Sequence, residues 1–283
     1  MLLDGGVGTE LIARGLDPKV EPAEAWTWSH PADVQAVYRA YFEAGADAVQ
    51  TNSFGANRLR LGFFQRANEV RALNVGSAIM AREVRPSGKL VIGDMGPTGA
   101  IPPPEGVADL AELEDVFAEQ AMALAEGGVD LLHIETMYHP KEARAALRGV
   151  RQGAPGLSVV ASMTCKLTSG GFATPLGFAP EVMLGVFLEE NADGVGVNCT
   201  LGPAGMLDLV RLLRTRTDRP IFAKPTATPG PSEHVLPSDM ALGAVALLAA
   251  GATAVGGCCG TTPADIAIMR RAIHETPLQK LEP

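Results

Sequence analysis

Several classes of protein are excluded by what this sequence has little of. Cysteine is scarce, and 4 in 283 residues do not make a disulfide scaffold. Cationic residues are outnumbered, 23 Lys and Arg against 32 Asp and Glu, for a net charge of −9. An acidic surface repels phosphate backbones, so no nucleic-acid partner is expected. Low-complexity linkers are missing. The 32 Gly and 21 Pro follow no collagen period and form no block, which excludes fibrous and disordered chains. The start, Met1-Leu2-Leu3-Asp4-Gly5-Gly6, has no basic region and no apolar core of signal length. A cytoplasmic chain with reduced thiols is expected. None of the 5 His has a ligand spacing such as HExxH, and no Gly-x-Ser-x-Gly elbow is present. A metal would have to be held through sulfur.

Charge is also absent from Met240 to Ala264, a run that hydropathy alone would flag as a membrane span. Its composition argues otherwise, because Gly251, Gly256 and Gly257 break it and Cys258–Thr262 are polar. A buried helix followed by a buried strand is expected, with no membrane partner.

What is present is a recurring helix-then-strand phrase. Gly45-Ala-Asp47-Ala-Val, Gly128-Val-Asp130-Leu-Leu, Asn191-Ala-Asp193-Gly-Val and Gly251-Ala-Thr253-Ala-Val share one pattern. Each opens with Gly or Asn, the residues that best tolerate the left-handed conformation ending a helix. Each then enters an apolar run without polar alternation, as parallel strands covered on both faces do. Counted from each cap, Asn52, Glu135, Asn198 and Cys258 share one register, and Ser53, Thr136, Cys199 and Cys259 the next. Apolar strands that end in polar groups at one register point to a site on the C-terminal rim of a parallel array.

Further strands are expected over Leu2–Asp4, Leu90–Asp94, Leu157–Met163 and Pro220–Ala223. Helical stretches are expected at 32–45, 67–85, 110–126, 140–151, 179–190, 204–216, 238–250 and 263–274. Eight strand–helix units, with a period of about 35 residues, read as a single (β/α)8 TIM barrel of the α/β class over residues 1–283. A doubly wound open sheet is the alternative. The segment Gly96–Val107, stiffened by Pro102, Pro103 and Pro104, is a candidate lid.

The strongest chemical signal is Gly256-Gly257-Cys258-Cys259-Gly260-Thr261-Thr262-Pro263, set against Asn198-Cys199-Thr200. Three thiolates on one rim would make an open zinc site, with a fourth position for water or substrate. The alternative is three buried, inert thiols. Cys165 lies past another strand end and is read as a bystander. Asp4-Gly5-Gly6-Val7-Gly8-Thr9-Glu10 lacks the pattern of a phosphate loop. It sets a carboxylate beside exposed backbone amides, a pair suited to the ammonium and carboxylate of an amino acid. A tight turn with Asp4 capping a helix from Thr9 is the alternative. Glu135 follows apolar residues expected inside the barrel, where a charge needs a partner. A substrate ammonium would serve, and so would an internal Arg or Lys.

Together, Leu3-Asp4-Gly5-Gly6-x-Gly8-Thr9, Thr51-Asn52-Ser53-Phe54-x-Ala56-Asn57-Arg58, Gly96-Pro97-Thr98-Gly99, Ile134-Glu135-Thr136, Val197-Asn198-Cys199 and Gly257-Cys258-Cys259-Gly260-Thr261-Thr262-Pro263 resemble the homocysteine S-methyltransferase family. They are most similar to the homocysteine-binding modules of its cobalamin-dependent methionine synthase branch. The resemblance runs from residue 3 to about 274. It implies a (β/α)8 barrel, zinc on Cys199, Cys258 and Cys259, and a homocysteine amine held by Asp4 and Glu135. The backbone near Gly5 and Gly6 would receive the carboxylate, and Asn52 and Asn198 would complete the substrate site. One departure stands out. Those modules read Lys-Pro-Asn-Ala-Gly where this chain reads Lys224-Pro225-Thr226-Ala227-Thr228. Thr226 is a poor substitute for the Asn that is a resting fourth zinc ligand in some relatives.

The implied reaction is methyl transfer to the zinc-activated thiol of homocysteine, giving methionine. No acid–base dyad is needed, because the metal deprotonates the nucleophile. The expected donor is methylcobalamin, charged from methyltetrahydrofolate and presented by cobalamin-binding and folate-binding modules of the same or another chain. The sequence itself has no Asp-x-His-x-x-Gly cobalamin signature. A stand-alone enzyme using S-methylmethionine or betaine is the alternative donor reading. Such onium donors want aromatic faces, and the chain has only 2 Trp and 3 Tyr. Tyr138 alone is expected near a donor, although the loop carrying Trp26 and Trp28 could fold over the site. A barrel whose cysteine cluster is structural or redox-active is the reading from a different class.

Overall fold

The structure, a computed structural model, describes residues 1–230 and 232–276. The four expected caps are all left-handed: φ is +101° at Gly45, +82° at Gly128, +54° at Asn191 and +104° at Gly251. Each ends a helix and turns the chain into a strand.

The helices are α1 (Val7–Ala13), α2 (Trp26–Ser29), α3 (Pro31–Glu43), α4 (Arg58–Gly62), α5 (Val70–Glu83), α6 (Leu110–Gly127), α7 (Pro140–Gly153), α8 (Pro180–Glu189), α9 (Pro203–Arg214), α10 (Pro237–Ala249) and α11 (Pro263–Glu275). The strands are β1 (Ala48–Gln50), β2 (Leu90–Met95), β3 (Leu131–Met137), β4 (Val159–Met163), β5 (Lys166–Thr168), β6 (Gly171–Ala173), β7 (Gly194–Asn198), β8 (Ile221–Lys224) and β9 (Ala254–Val255). Seven strands form one curled parallel sheet in the order β1-β2-β3-β4-β7-β8-β9. The expected strand over Leu2–Asp4 is reduced to single parallel bridges, Leu2 to Val255 and Leu3 to Ala48. It stops there because the chain leaves the ladder at Asp4, whose carbonyl accepts from Gly257 at 2.8 Å.

Two apolar layers hold this sheet. Leu3, Ala48, Ile92, Val160, Phe222 and Ala254 meet on its inner, concave side. A much larger set, including Val49, Val91, Leu132, Val159, Val195 and Ile221, packs outward against the helices. The helices lean on one another in sequence, α5 on α6, α6 on α7, α7 on α8, α9 on α10 and α10 on α11, and α11 returns to α3. Strands buried on both faces are why the sequence shows apolar runs rather than alternation.

The third residue of the repeated phrase has a function of its own. Asp47, Asp130 and Asp193 accept the otherwise unpaired amides of Leu2, Val91 and Val159 at 2.7–2.8 Å, and the Thr253 hydroxyl accepts from Ile221 at 3.2 Å. Each phrase thus latches its strand to the preceding one at the bottom of the sheet. An unpaired buried amide costs about 1–3 kcal/mol, so the latch sets register. The polar residues at the opposite strand ends then arrive on one rim.

The uncharged run from Met240 is helix α10 followed by β9, as its glycines imply. Among the described residues no helix is long and apolar enough to cross a membrane. The antiparallel β5–β6 hairpin and the short helices α2 and α4 have no counterpart in the sequence reading, because none is long enough to show a period. Helix α1 starts at Val7, with Gly6 at its N-cap and no side-chain cap, so Asp4 does not cap it. The candidate lid is tied down. Thr98 donates twice to Glu142, at 2.8 Å and 2.6 Å, Glu105 meets His139 at 3.2 Å, and the Lys141 ammonium donates to the Pro103 carbonyl at 2.6 Å.

Candidate metal and substrate site

The C-terminal rim opens into a cavity of about 630 Å³. Its lining includes Cys199, Cys258 and Cys259 on one side and Glu135, Asp94 and Lys224 on its floor.

The three sulfurs lie within 4.8 Å of one another, and Cys199 Sγ is 3.7 Å from Cys259 Sγ. Tetrahedral zinc with bonds of about 2.3 Å spaces its sulfurs about 3.8 Å apart, so the trio has the right size. Burial differs across the trio, from partly buried Cys199 and Cys258 to exposed Cys259. Hydrogen bonds from Cys258 and Cys259 push Cys199 down to about 3, and the bond to Cys199 is the leading cause that pushes Cys258 up and Cys259 up to about 11. Cys165 is fully buried, pushed up by that burial to about 12, and stands outside the cluster.

The backbone around these sulfurs is strained. Thr136, Cys199 and Thr200 have φ of +63°, +59° and +52°, in a region that a β-branched residue seldom enters. Asn198 fixes this geometry. Its Oδ1 accepts from the Thr136 amide at 2.8 Å, and its Nδ2 donates to Thr136 Oγ1 at 2.7 Å and reaches Cys258 Sγ at 3.9 Å. The Thr200 hydroxyl is held by that of Thr164 at 2.6 Å. Gly6 is required by close approach, since a Cβ there would lie 2.9 Å from the Cys258 carbonyl. Gly5 is required likewise against the Thr261 carbonyl, at 2.5 Å. Both glycines face the cavity, and the Gly6 amide donates to Thr261 at 3.0 Å. Asn52 lines the cavity, with its side-chain amide donating to the Ala23 carbonyl at 2.7 Å and its backbone amide to Tyr38 Oη at 2.7 Å. The Thr226 hydroxyl is committed to the Cys259 carbonyl at 2.9 Å.

Beneath the thiols lies a buried charge cluster that sequence reasoning found only in part. Lys224 Nζ is 3.3 Å from Asp4 Oδ1 and 3.8 Å from Glu135 Oε2, and it also donates to Gln50. The Gln50 amide donates to Asp4 Oδ2 at 2.6 Å, and Gln50 Nε2 donates to Glu135 Oε2 at 3.1 Å. His133, fully buried, stands 3.4 Å from the same Glu135 oxygen and 2.6 Å from Ser162 Oγ. Burial holds Asp4, Glu135 and Asp94 above the ordinary carboxylate range, Asp94 well above it with the Glu135 charge beside it. Burial opposes the Lys224 charge, yet Asp4, Glu135 and Asp94 together keep that ammonium firmly protonated. An internal lysine does partner Glu135, as one sequence alternative required. Three carboxylates still face one ammonium. Lys224, Gln50 and Asp94 went unread because each looks like the unremarked polar end of an apolar strand.

The aromatic residues that line the cavity are Phe54 and Phe64, and the Arg60 guanidinium lies 5.6 Å over the Phe54 ring. Trp26 is buried and stacks on His30, and Trp28 packs against Gly76. Neither Trp lines the cavity, nor does Tyr138 or any residue of the Gly96–Val107 loop.

A family model for homocysteine S-methyltransferase matches residues 1–273. The chain is 32% identical to methionine synthase of Mycobacterium tuberculosis and 30% identical to that of Mycobacterium leprae. Each match covers 96% of this chain but only 24% of the relative. The metallated form of the homocysteine methyltransferase MmuM from Escherichia coli shares the fold, with a TM-score of 0.79 at 24% identity over 96% of this chain and 95% of that one. The apo form gives a TM-score of 0.75 at 23% identity over the same shares. The match over nearly the whole chain places this protein in the homocysteine S-methyltransferase family.

Proposed function

We propose that this chain transfers a methyl group to the thiol of homocysteine, with zinc held by Cys199, Cys258 and Cys259. The observation that carries this reading is the shared cavity, where a three-thiol cluster of zinc dimensions adjoins an acidic floor. A homocysteine thiol and ammonium are only a few bonds apart and need those two features side by side. Bound there, Zn²⁺ supplies the Lewis acidity that keeps a substrate thiol ionised at neutral pH. The chain's own residues do the rest. Asn198 keeps the Thr136 turn and Cys258 in place. Glu135, backed by Lys224 and Gln50, attracts the ammonium, and Asp4 anchors that pair from behind. The backbone at Gly5 receives the carboxylate, the Gly6 amide being given to Thr261, and Asn52 shapes the wall beside it.

The chain spans about a quarter of the methionine synthases it matches. We read it as the homocysteine-binding module of a larger cytoplasmic enzyme, closed into a (β/α)8 barrel by the Leu2–Leu3 bridges. Methylcobalamin on another module is the donor in this reading. Arg60 supports it, because a guanidinium over Phe54 repels a sulfonium or ammonium from the aromatic face such a donor needs. The test is turnover of the zinc-loaded chain with homocysteine and each donor supplied separately. Methylcobalamin is expected to support methionine formation. Fast turnover with S-methylmethionine or betaine, and none with methylcobalamin, would overturn the donor assignment.

A further inference from the structure

The acidic floor contains a carboxylate that its surroundings leave unused. Asp4 is fully buried, does not line the cavity, and has both oxygens engaged, Oδ1 by Lys224 at 3.3 Å and Oδ2 by the Gln50 amide at 2.6 Å. Glu135 lines the cavity, with Oε2 accepting from Gln50 at 3.1 Å and lying 3.8 Å from the Lys224 ammonium. Asp94, at the end of β2, also lines the cavity and is only 7% exposed, and its Oδ1 has no hydrogen-bond partner among the described residues. Its backbone is pinned on both sides of the peptide. The amide donates to Thr51 Oγ1 at 2.9 Å, and the carbonyl accepts from Ser53 Oγ at 2.7 Å. A buried carboxylate without a donor is unfavourable unless a ligand brings one.

We propose that Asp94 is the carboxylate that, together with Glu135, receives the substrate ammonium, while Asp4 acts behind them as the anchor of Lys224. This assignment rests on the homocysteine reading above and adds a specificity residue to it. The ammonium of Lys224 is in contact with Asp4 and Glu135 and acts on Asp94 only at longer range, so a second ammonium entering the cavity finds its free acceptor on Asp94. The chemistry selects thiols that carry a primary amine. A thiol of the same length without one would leave Asp94 unpaired and bind without that contribution.

Burial supports the same assignment, since Asp94 stands well above the ordinary carboxylate range with Glu135 beside it. An arriving cation would favour its ionised form, so binding should release a proton from this floor.

The experiment compares homocysteine with 4-mercaptobutyrate, which has the thiol and carboxylate but no amine, by calorimetry on the zinc-loaded protein. Asp94→Asn is expected to weaken homocysteine about ten- to a hundredfold, the scale of a charged hydrogen bond. Binding of 4-mercaptobutyrate should be unchanged. Asp94→Ser should give the same split and serves if the first variant fails to fold. Unchanged homocysteine affinity in either folded variant would overturn the assignment. Equal losses for both ligands would also overturn it, by making Asp94 structural. Wild-type protein that binds neither thiol would instead overturn the methyl-transfer reading, and this assignment with it.

Discussion

Replacing Lys224 by Met keeps the length of a buried side chain and deletes the ammonium lying 3.3 Å from Asp4 and 3.8 Å from Glu135. Removing one partner of a buried ion pair costs about 3–5 kcal/mol, because the remaining charge is left uncompensated. Here the remaining groups can escape by taking up protons. Asp4, Asp94 and Glu135 already sit above the ordinary carboxylate range through burial, and losing Lys224 moves them further up. An acid whose pKa is higher folded than unfolded binds its proton more tightly in the folded state, so stability falls as pH rises between the two values. In Lys224→Met that interval starts at the unfolded carboxylate value of about 4 and extends higher than in the wild type. Each carboxyl kept protonated over one further pH unit accounts for about 1.4 kcal/mol. The deficit should therefore be largest in alkaline solution and should shrink on acidification. Urea unfolding of both proteins, followed by circular dichroism at about pH 8 and about pH 5.5, measures it. A deficit of equal size at both pH values would refute the reasoning and make Lys224 a packing residue.

The remaining expectations concern metal, substrate and latch. Zinc, about one ion per chain, should be lost from Cys199→Ala, Cys258→Ala and Cys259→Ala and kept by Cys165→Ser, as metal analysis will read; full occupancy in Cys258→Ala would sink the ligand set. Glu135→Gln should weaken homocysteine by about ten- to a hundredfold while zinc content stays the same; calorimetry and metal analysis on one preparation separate the two. Asp130→Ala removes the acceptor for the Val91 amide and for Arg85 and should destabilise the fold by about 1–3 kcal/mol. Its affinity for homocysteine should not change, and a large change would contradict the separation of latch from rim.

Much of this architecture was legible because caps and covered strands leave local marks. Gly45, Gly128, Asn191 and Gly251 announce helix ends by the one backbone conformation that favours them. The shared register of Asn198–Cys199 and Cys258–Cys259 brought three thiols together before any distance was known. The floor was less legible. Glu135 was readable as a lone charge in an apolar run, but its pairing with Lys224 and Gln50 joins strands far apart in the chain, and no local pattern encodes that. Asp94 was passed over as the end of an ordinary strand. Tyr38 and Tyr41 are buried helix core, yet their hydroxyls also hold the Asn52 amide and the Thr261 carbonyl at the rim. Phe54 and Phe64 reach the cavity from a segment whose short helix has no period to detect.

The bottom latches carry a consequence for the order in which the fold and the thiol cluster form. Their partners are 45, 39, 34 and 32 residues apart, so each strand pair can form early with little loss of chain entropy. The seam between β9 and Leu2–Leu3 joins residues about 250 positions apart, as the bond from the Met1 amine to the Thr253 carbonyl marks with its separation of 252. Topology makes that seam the slow event of folding. Gly5, Gly6 and the Cys258–Cys259 turn all lie along it, with Gly257 donating to Asp4 and Gly6 to Thr261. The thiol cluster therefore reaches its final geometry only as the seam zips. An ion on Cys199, Cys258 and Cys259 would tie the end of β7 to the turn after β9, beside the seam rather than across it. It would stabilise a cluster that is complete only once the seam has zipped, so chelation should speed unfolding far more than it slows refolding.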